Sequence, residues 1–306
     1  MGQPSIKQLE AFWWAATCAS FVTAAERVSL SVSSLSKRIS ELESVLGQPL
    51  FNRSGHKAVL TQAGERLLPA ALDVLNAVAA LGPALDPAFS GAARLSGRCR
   101  IGVGDLSALT WLPGFTAATR QAHPGLAFEA HVDVGGVLEQ RLADGVLDFA
   151  VVAGRSSRSG LLSQPVGAAH FAWAAHPALL MAPTGIGALL QRHPLVALPA
   201  GAGTTRLLDD WLLAHDVAVR ERILCNSWAA VAGMIGLGVG IGFLPAGWLG
   251  PLRLAALDAE RPLAPLHYSM QWRRGDTRAL VAAMRQLVRE HVRFDQAPLP
   301  GFAAPL

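Results

Sequence analysis

Cysteine is scarce in this 306-residue sequence. Cys18, Cys99 and Cys225 are the only three; they form no CxxC pair, and an odd number cannot all be joined within one chain. A disulfide-stapled secreted scaffold is therefore excluded, and free thiols in a reducing cytoplasm are expected. Lysine is scarce too: Lys7, Lys37 and Lys57 all lie in the first 60 residues, and every later cation is Arg. Charge of either sign is missing from Ser159–Gln191 and Ile223–Leu252. The first stretch is broken by Pro165, Pro177 and Pro183, the second by Gly233, Gly236, Gly238, Gly240, Gly242 and Pro245, so both predict buried helix-turn-strand segments rather than membrane spans. The opening MGQPSIKQLEAFW lacks the apolar core of a secretory signal. Nine histidines supply no HExxH and no Cys/His pair at zinc spacing, and no G-x-S-x-G elbow occurs. No metal, no cofactor and no hydrolase nucleophile is expected. The run Gly236-x-Gly238-x-Gly240-x-Gly242 resembles a dinucleotide loop, but it lies between a helix and the strand after it, the reverse of the required context.

What is present suits an α/β protein of more than one domain: 51% of residues are apolar and the net charge is +4. That charge permits an anionic partner without demonstrating one. Ile6, Leu9, Trp13 and Ala16 recur at the spacing of one helical face. Ser20 can cap a second short helix holding Ala24, Ala25 and Val28, and Ser31 a third, SVSSLSKRISELESVLG, whose apolar side is Leu35, Ile39, Leu42 and Leu46. Gly47 and Pro49 end it. Helices this short, joined this tightly, predict a helix-turn-helix. PLFNRSGHKAVLT then predicts a small hairpin turning at Ser54-Gly55, a wing decorated by Arg53, His56 and Lys57.

Serine is a mediocre helix former, so four in six positions need a reason. Ser31 is the cap. Ser33, Ser34 and Ser36 fall in the first turns, away from the leucine face, where short hydroxyls and free amides can meet phosphates or base edges. Lys37 and Arg38 add the charge that attracts a DNA backbone.

The stretch LEAFWWAATCASFVTAAERVSLSVSSLSKRISELESVLGQPLFNRSGHKAVLTQAGERLL resembles the LysR-type transcriptional regulators, with agreement in many positions over sixty residues. RIGVGDLSALTWLPGF, LADGVLDFAVV and GMIGLGVGIGFLP extend the resemblance, in order, along nearly the whole chain. It implies an α/β multidomain architecture: an N-terminal winged helix-turn-helix (1–60), a long linker and dimerisation helix (61–85), a hinge (86–97) and a two-subdomain α/β effector domain of periplasmic-binding-protein type (98–306). Subdomain I would comprise about 98–166 and 268–306, subdomain II about 167–267. The family's recognition helix falls on the third helix, with Val32, Ser33, Ser34, Ser36 and Lys37 as readers and Arg53 on the wing; Arg38, His56, Lys57 and Thr61 complete the expected DNA-binding set. Members commonly carry Gln-Pro at Val32-Ser33 and Arg at Lys37. The missing Gln removes a bidentate adenine reader, while Val32 can touch a thymine methyl. An operator borrowed from relatives is therefore in doubt.

Thr61 can cap a helix in which Leu68, Ala71, Leu75, Val78, Gly82 and Leu85 form a seam. Spacing alone serves equally for packing within one domain or for pairing with a twin; the resemblance favours a homodimer, with tetramers beyond it. Such a dimer predicts double-stranded DNA with pseudo-palindromic half-sites. After Arg98, alternating strand and helix signals predict a parallel sheet with crossover helices. A ligand would sit beyond the strand ends. Those ends are Gly104, Asp105, Leu106 and Ser107; Gly135 and Gly136; Gly154 and Arg155; Thr204 and Thr205; and Asn226, Ser227 and Trp228. Several relatives place Ser or Thr hydroxyls for a carboxylate where Gly104 and Gly135 stand. Asp105 adds negative charge, whereas helix amides and Arg155 favour an anion, so the charge of the small-molecule effector stays open. Neither a membrane partner nor catalysis is expected. The rival reading is a small-molecule-binding or enzymatic α/β protein with an incidental helical module.

Overall fold

A serine stands before each of the first three helices and caps it. In the computed structural model, which describes residues 3–52, 58–79, 81, 95–180, 185–259 and 262–296, α1 runs Ile6–Thr17, α2 Phe21–Arg27 and α3 Val32–Leu46. The hydroxyls of Ser5, Ser20 and Ser31 accept from the amides of Gln8, Thr23 and Ser34 at 3.3, 3.1 and 3.1 Å. These are donors that a helix start otherwise leaves unpaired. Gly47, at φ 67°, ends α3 in the left-handed conformation. Leu9, Phe12 and Trp13 of α1, Ala24 and Ala25 of α2, and Leu35, Ile39 and Leu42 of α3 share one core. Ile6, the first helical residue, is exposed although its spacing places it on that face.

The wing strands β1 (Phe51–Asn52) and β2 (Val59–Leu60) pair antiparallel, Phe51 opposite Leu60. The expected turn at Ser54-Gly55 lies outside the described residues. The helix α4 (Gln62–Ala79) follows with Pro69 inside it. At its start a Cβ added to Gly64 would overlap the Leu50 carbonyl, so glycine lets α4 press on the wing.

Beyond it, β3 (Ser96–Val103) begins within the segment expected as hinge, of which 86–94 lies outside the described residues. β3 pairs in parallel with β4 (Gly125–Val132) and β5 (Phe149–Ala153). The connections are α5 (Asp105–Leu109), α6 (Leu112–Ala122) and α7 (Gly135–Ala143); the single helix expected near 108–122 is interrupted at Thr110 and Trp111. The sheet continues with β12 (Leu266–Arg273) and β6 (Leu161–Ala169), in the order β4-β3-β5-β12-β6. Its β12 runs antiparallel to both neighbours, which corrects the all-parallel expectation: a long return from the second subdomain supplies this strand, not a crossover helix. Pro165 sits on the edge strand β6, where its missing donor is tolerated.

The second subdomain holds β7 (Phe171–Ala175) between antiparallel β10 (Gly242–Pro245) and β11 (Ala255–Ala256), plus the parallel pair β8 (Leu195–Ala197) and β9 (Arg222–Leu224). Its helices are α8 (Ile186–Arg192), α9 (Gly203–Ala214) and α10 (Trp228–Gly236). The charge-free stretch from Ser159 is therefore β6, β7 and α8 rather than helix-turn-strand. Cβ atoms on Gly240 and Gly242 would overlap the carbonyls of Pro194 and Val196, so the glycine run serves a close approach of strands. The last helix, α11 (Ala279–His291), returns to pack on α6 and β12.

Candidate functional site

The start of α3 presents a hydroxyl-rich surface backed by its leucine face. Val32, Ser33, Ser34 and Lys37 are exposed, and Ser36 and Arg38 half-buried, while Leu35, Ile39 and Leu42 are buried. Ser31 Oγ lies 2.9 Å from both Ser33 Oγ and Ser34 Oγ, so the serines hold one another in place. Burial raises the pKa of the Glu10 carboxyl, and the charges of Arg38 and Lys7 partly offset that rise. Lys37 makes no ion pair among the described residues. Thr61 Oγ1 donates to Pro49 O at 2.7 Å and accepts from Gly64 N at 3.1 Å, both inside the head. Glu43, unnoticed in the sequence, accepts from Leu50 N and Phe51 N at 2.8 and 3.1 Å and so pins the wing to α3. Arg53, His56 and Lys57 lie outside the described residues.

Between the two subdomains lies a cavity of about 390 Å³. Of the residues expected at strand ends, Gly104, Asp105, Leu106, Gly135, Gly136, Thr204, Asn226 and Trp228 line it. Ser107, Gly154, Arg155, Thr205 and Ser227 do not: Ser107 is fully buried, Arg155 is exposed, and Thr205 Oγ1 donates to Pro199 O at 2.8 Å. The sequence reading missed Asp133, Glu139, Ala153, Leu198 and Tyr268, among others. Asp105 Oδ2 accepts from the Trp228 amide at 2.6 Å, a bond that spans the two subdomains. Burial raises the Asp105 pKa, opposed in part by that amide. Cys99 is buried in β3 and Cys225 follows β9, in separate sheets, and burial pushes the Cys99 thiol up.

The head also meets the first subdomain directly. Asp148, fully buried just before β5, bonds Arg27 of α2 and Arg278 Nη2, the latter at 2.8 Å, and accepts from Arg100 N at 2.8 Å. Burial alone would raise its pKa; Arg278, Arg27 and the Arg100 amide outweigh burial and hold it below the usual range. The Arg27 guanidinium lies 4.0 Å from the Trp14 ring centroid, that of Arg278 4.9 Å from the same ring. Ala19 N donates to Asp144 O at 3.0 Å.

Two family models match successive parts of the chain. The family model described as "Bacterial regulatory helix-turn-helix protein, lysR family" matches residues 6–65, and "LysR substrate binding domain" matches 92–293. The chain is 34% identical over 168 residues to a probable hydrogen peroxide-inducible genes activator of Mycobacterium xenopi, spanning 54% of this chain and 85% of that one. It is 28% identical over 288 residues to the HTH-type transcriptional regulator CfxR of Cupriavidus necator, spanning 87% and 86%. Among solved structures, an OxyR C206 mutant of Corynebacterium glutamicum aligns at TM-score 0.57 and 25% identity over 95% of this chain and 93% of that one. ArgP of Mycobacterium tuberculosis aligns at 0.58 and 21%, over 95% and 97%, a likeness of fold.

Proposed function

The chain belongs to the LysR family of bacterial transcriptional regulators, and from that premise we propose how its surfaces divide the work. Its helix-turn-helix is the DNA-binding part and its C-terminal α/β domain the effector-binding part. The DNA-binding head comprises 1–60, the linker and dimerisation helix 61–85, the hinge 86–97 and the effector domain 98–306. The start of α3 enters the major groove: Ser33, Ser34 and Ser36 offer hydroxyls, Val32 a methyl contact, and Lys37 a cation. Arg38 adds charge beside Glu10, and Arg53, His56 and Lys57 follow the backbone from the wing. One observation carries this reading: α3 buries Leu35, Ile39 and Leu42 in the head and leaves its hydroxyl and ammonium groups exposed.

Two copies pair through α4, and dimers associate further into tetramers, giving two recognition helices on a pseudo-palindromic duplex. The effector occupies the crevice between the subdomains. A larger cavity, about 790 Å³ between head and first subdomain, is set aside because Leu68 of the α4 seam lines it. No helix among the described residues is long and apolar enough to cross a membrane, and the protein acts in the cytoplasm. No catalytic step is proposed. Selection of duplexes from a random library by the full chain tests the reading. Inverted half-sites about one helical turn apart, or a multiple of that, are expected; a pool that stays random contradicts it.

A further inference from the structure

The crevice collects helix starts, and a helix start attracts anions. α5 begins at Asp105, α7 at Gly135, α9 at Gly203 and α10 at Trp228, and all four residues line the cavity. On that feature alone a carboxylate ligand would be expected. The chain, however, already supplies carboxylates at three of these four places. Asp105 is itself the first residue of α5, and its Oδ2 takes the amide that opens α10, 2.6 Å away across the crevice. Asp133 Oδ1 accepts from Val134 N at 2.8 Å, at the start of α7.

With Asp105 bonding the first amide of α10 and acidic side chains standing at the starts of α5 and α7, the side-chain charge lining the crevice is negative. The charged residues lining it are Asp105, Asp133 and Glu139, and no Lys, Arg or His is among them. Asp133 and Glu139 are partly neutralised from behind, by Arg141 at 3.4 Å and Arg158 at 4.0 Å. Asp105 has no cation within ion-pair distance among the described residues, and its Oδ1 takes no hydrogen bond from them. A half-buried carboxylate with a free oxygen, facing a cavity walled by Trp228, Tyr268 and Leu198, matches one chemistry: a small molecule joining a protonated amine to an apolar body.

We propose that the effector crevice selects a cationic amine, seated on Asp105, and rejects carboxylates. This rests on the crevice being the effector site. An ammonium bound there would reach both subdomains at once, because Asp105 belongs to one and holds the first amide of α10 in the other. An incoming carboxylate would have to displace Asp105 from that amide or lie beside it, a like-charge contact in a poorly hydrated space.

Benzylamine, benzoate and benzyl alcohol share a body and differ in charge, so calorimetric titration of the full chain with each separates the cases. Asp105→Asn keeps an acceptor for the Trp228 amide while removing the charge. Gly136→Trp fills the cavity from a position where an added Cβ meets nothing within 4 Å. Wild type is expected to bind benzylamine at least about tenfold more tightly than the other two, and Asp105→Asn to lose that margin. Benzoate binding as well as benzylamine, an unchanged affinity in Asp105→Asn, or no binding by either compound overturns the proposal. If Gly136→Trp still abolishes binding in the first two cases, the crevice stands as the site and only its charge preference falls. Binding indifferent to Gly136→Trp removes the crevice itself.

Discussion

Asp148 and Asp105 both join parts of the chain that are distant in sequence, and they do so by opposite electrostatics. Asp148 ties the head to the regulatory domain: fully buried, it is held by Arg27, Arg278 and the Arg100 amide, so charge removed from water is met by charge. Asp105 ties one subdomain to the other: half-buried, it has a single amide and no cation among the described residues. A buried carboxylate with two guanidiniums resists change, because withdrawing it leaves Arg27 without its ion pair in a dry site, although Arg278 keeps Asp276 at 2.6 Å. A carboxylate with one amide is adjustable, open to a ligand that offers a better partner. A tightly paired joint thus lies where the head meets the first subdomain, and an adjustable bridge in the crevice proposed for the effector.

The largest effect is expected at the tightly paired joint. Asp148→Ala should cost about 3–5 kcal/mol in denaturant unfolding of the full chain, since it leaves buried Arg27 without its carboxylate while Arg278 retains only Asp276. Arg27→Ala should cost about 2–3 kcal/mol, losing the ion pair and the contact with Trp14 while Arg278 remains. Equal losses in the two variants would show that Asp148 acts through Arg27 alone. Lys37→Ala touches neither carboxylate. It should weaken duplex binding by about 1–3 kcal/mol if the ammonium reads a base, with an unchanged melting temperature. Asp105→Ala should change stability at neutral pH by less than about 1 kcal/mol; a loss as large as that of Asp148→Ala would erase the distinction between the two.

Acid sharpens the same contrast through its sign. The folded-state pKa of Asp148 lies below the ordinary 3.8, so its contribution is full at neutral pH and lost as pH falls through the folded value. That of Asp105 lies above 3.8, so its small contribution is present below 3.8 and lost as pH rises through the folded value. Stability measured against pH should show a shallower acid limb in Asp148→Asn than in wild type, whereas Asp105→Asn should keep that limb steep.

The two regions also differ in how far the sequence disclosed them. In the head the signals are local: Ser20 and Ser31 each cap a helix three residues upstream of the amide they accept from, and Gly47 stops α3 where a left-handed residue is required. The crevice was legible in outline, because glycines and helix starts at strand ends mark where a ligand can approach. Eight of the thirteen expected residues line it. What escaped depends on long-range assembly. Tyr268 reaches the wall on β12, an antiparallel return with no crossover helix to announce it. The bond from Asp105 to Trp228 closes 123 positions, and the pair Arg27–Asp148 closes 121. Nothing in periodicity or turn chemistry couples residues that far apart, so LADGVLDFAVV showed a strand and hid the joint.

The regulator reading depends above all on α3 lying against phosphates, and the salt dependence of duplex binding by the full chain tests that most directly. The logarithm of affinity should fall linearly with the logarithm of salt concentration. Affinity that does not change with salt would contradict the placement of α3 on DNA.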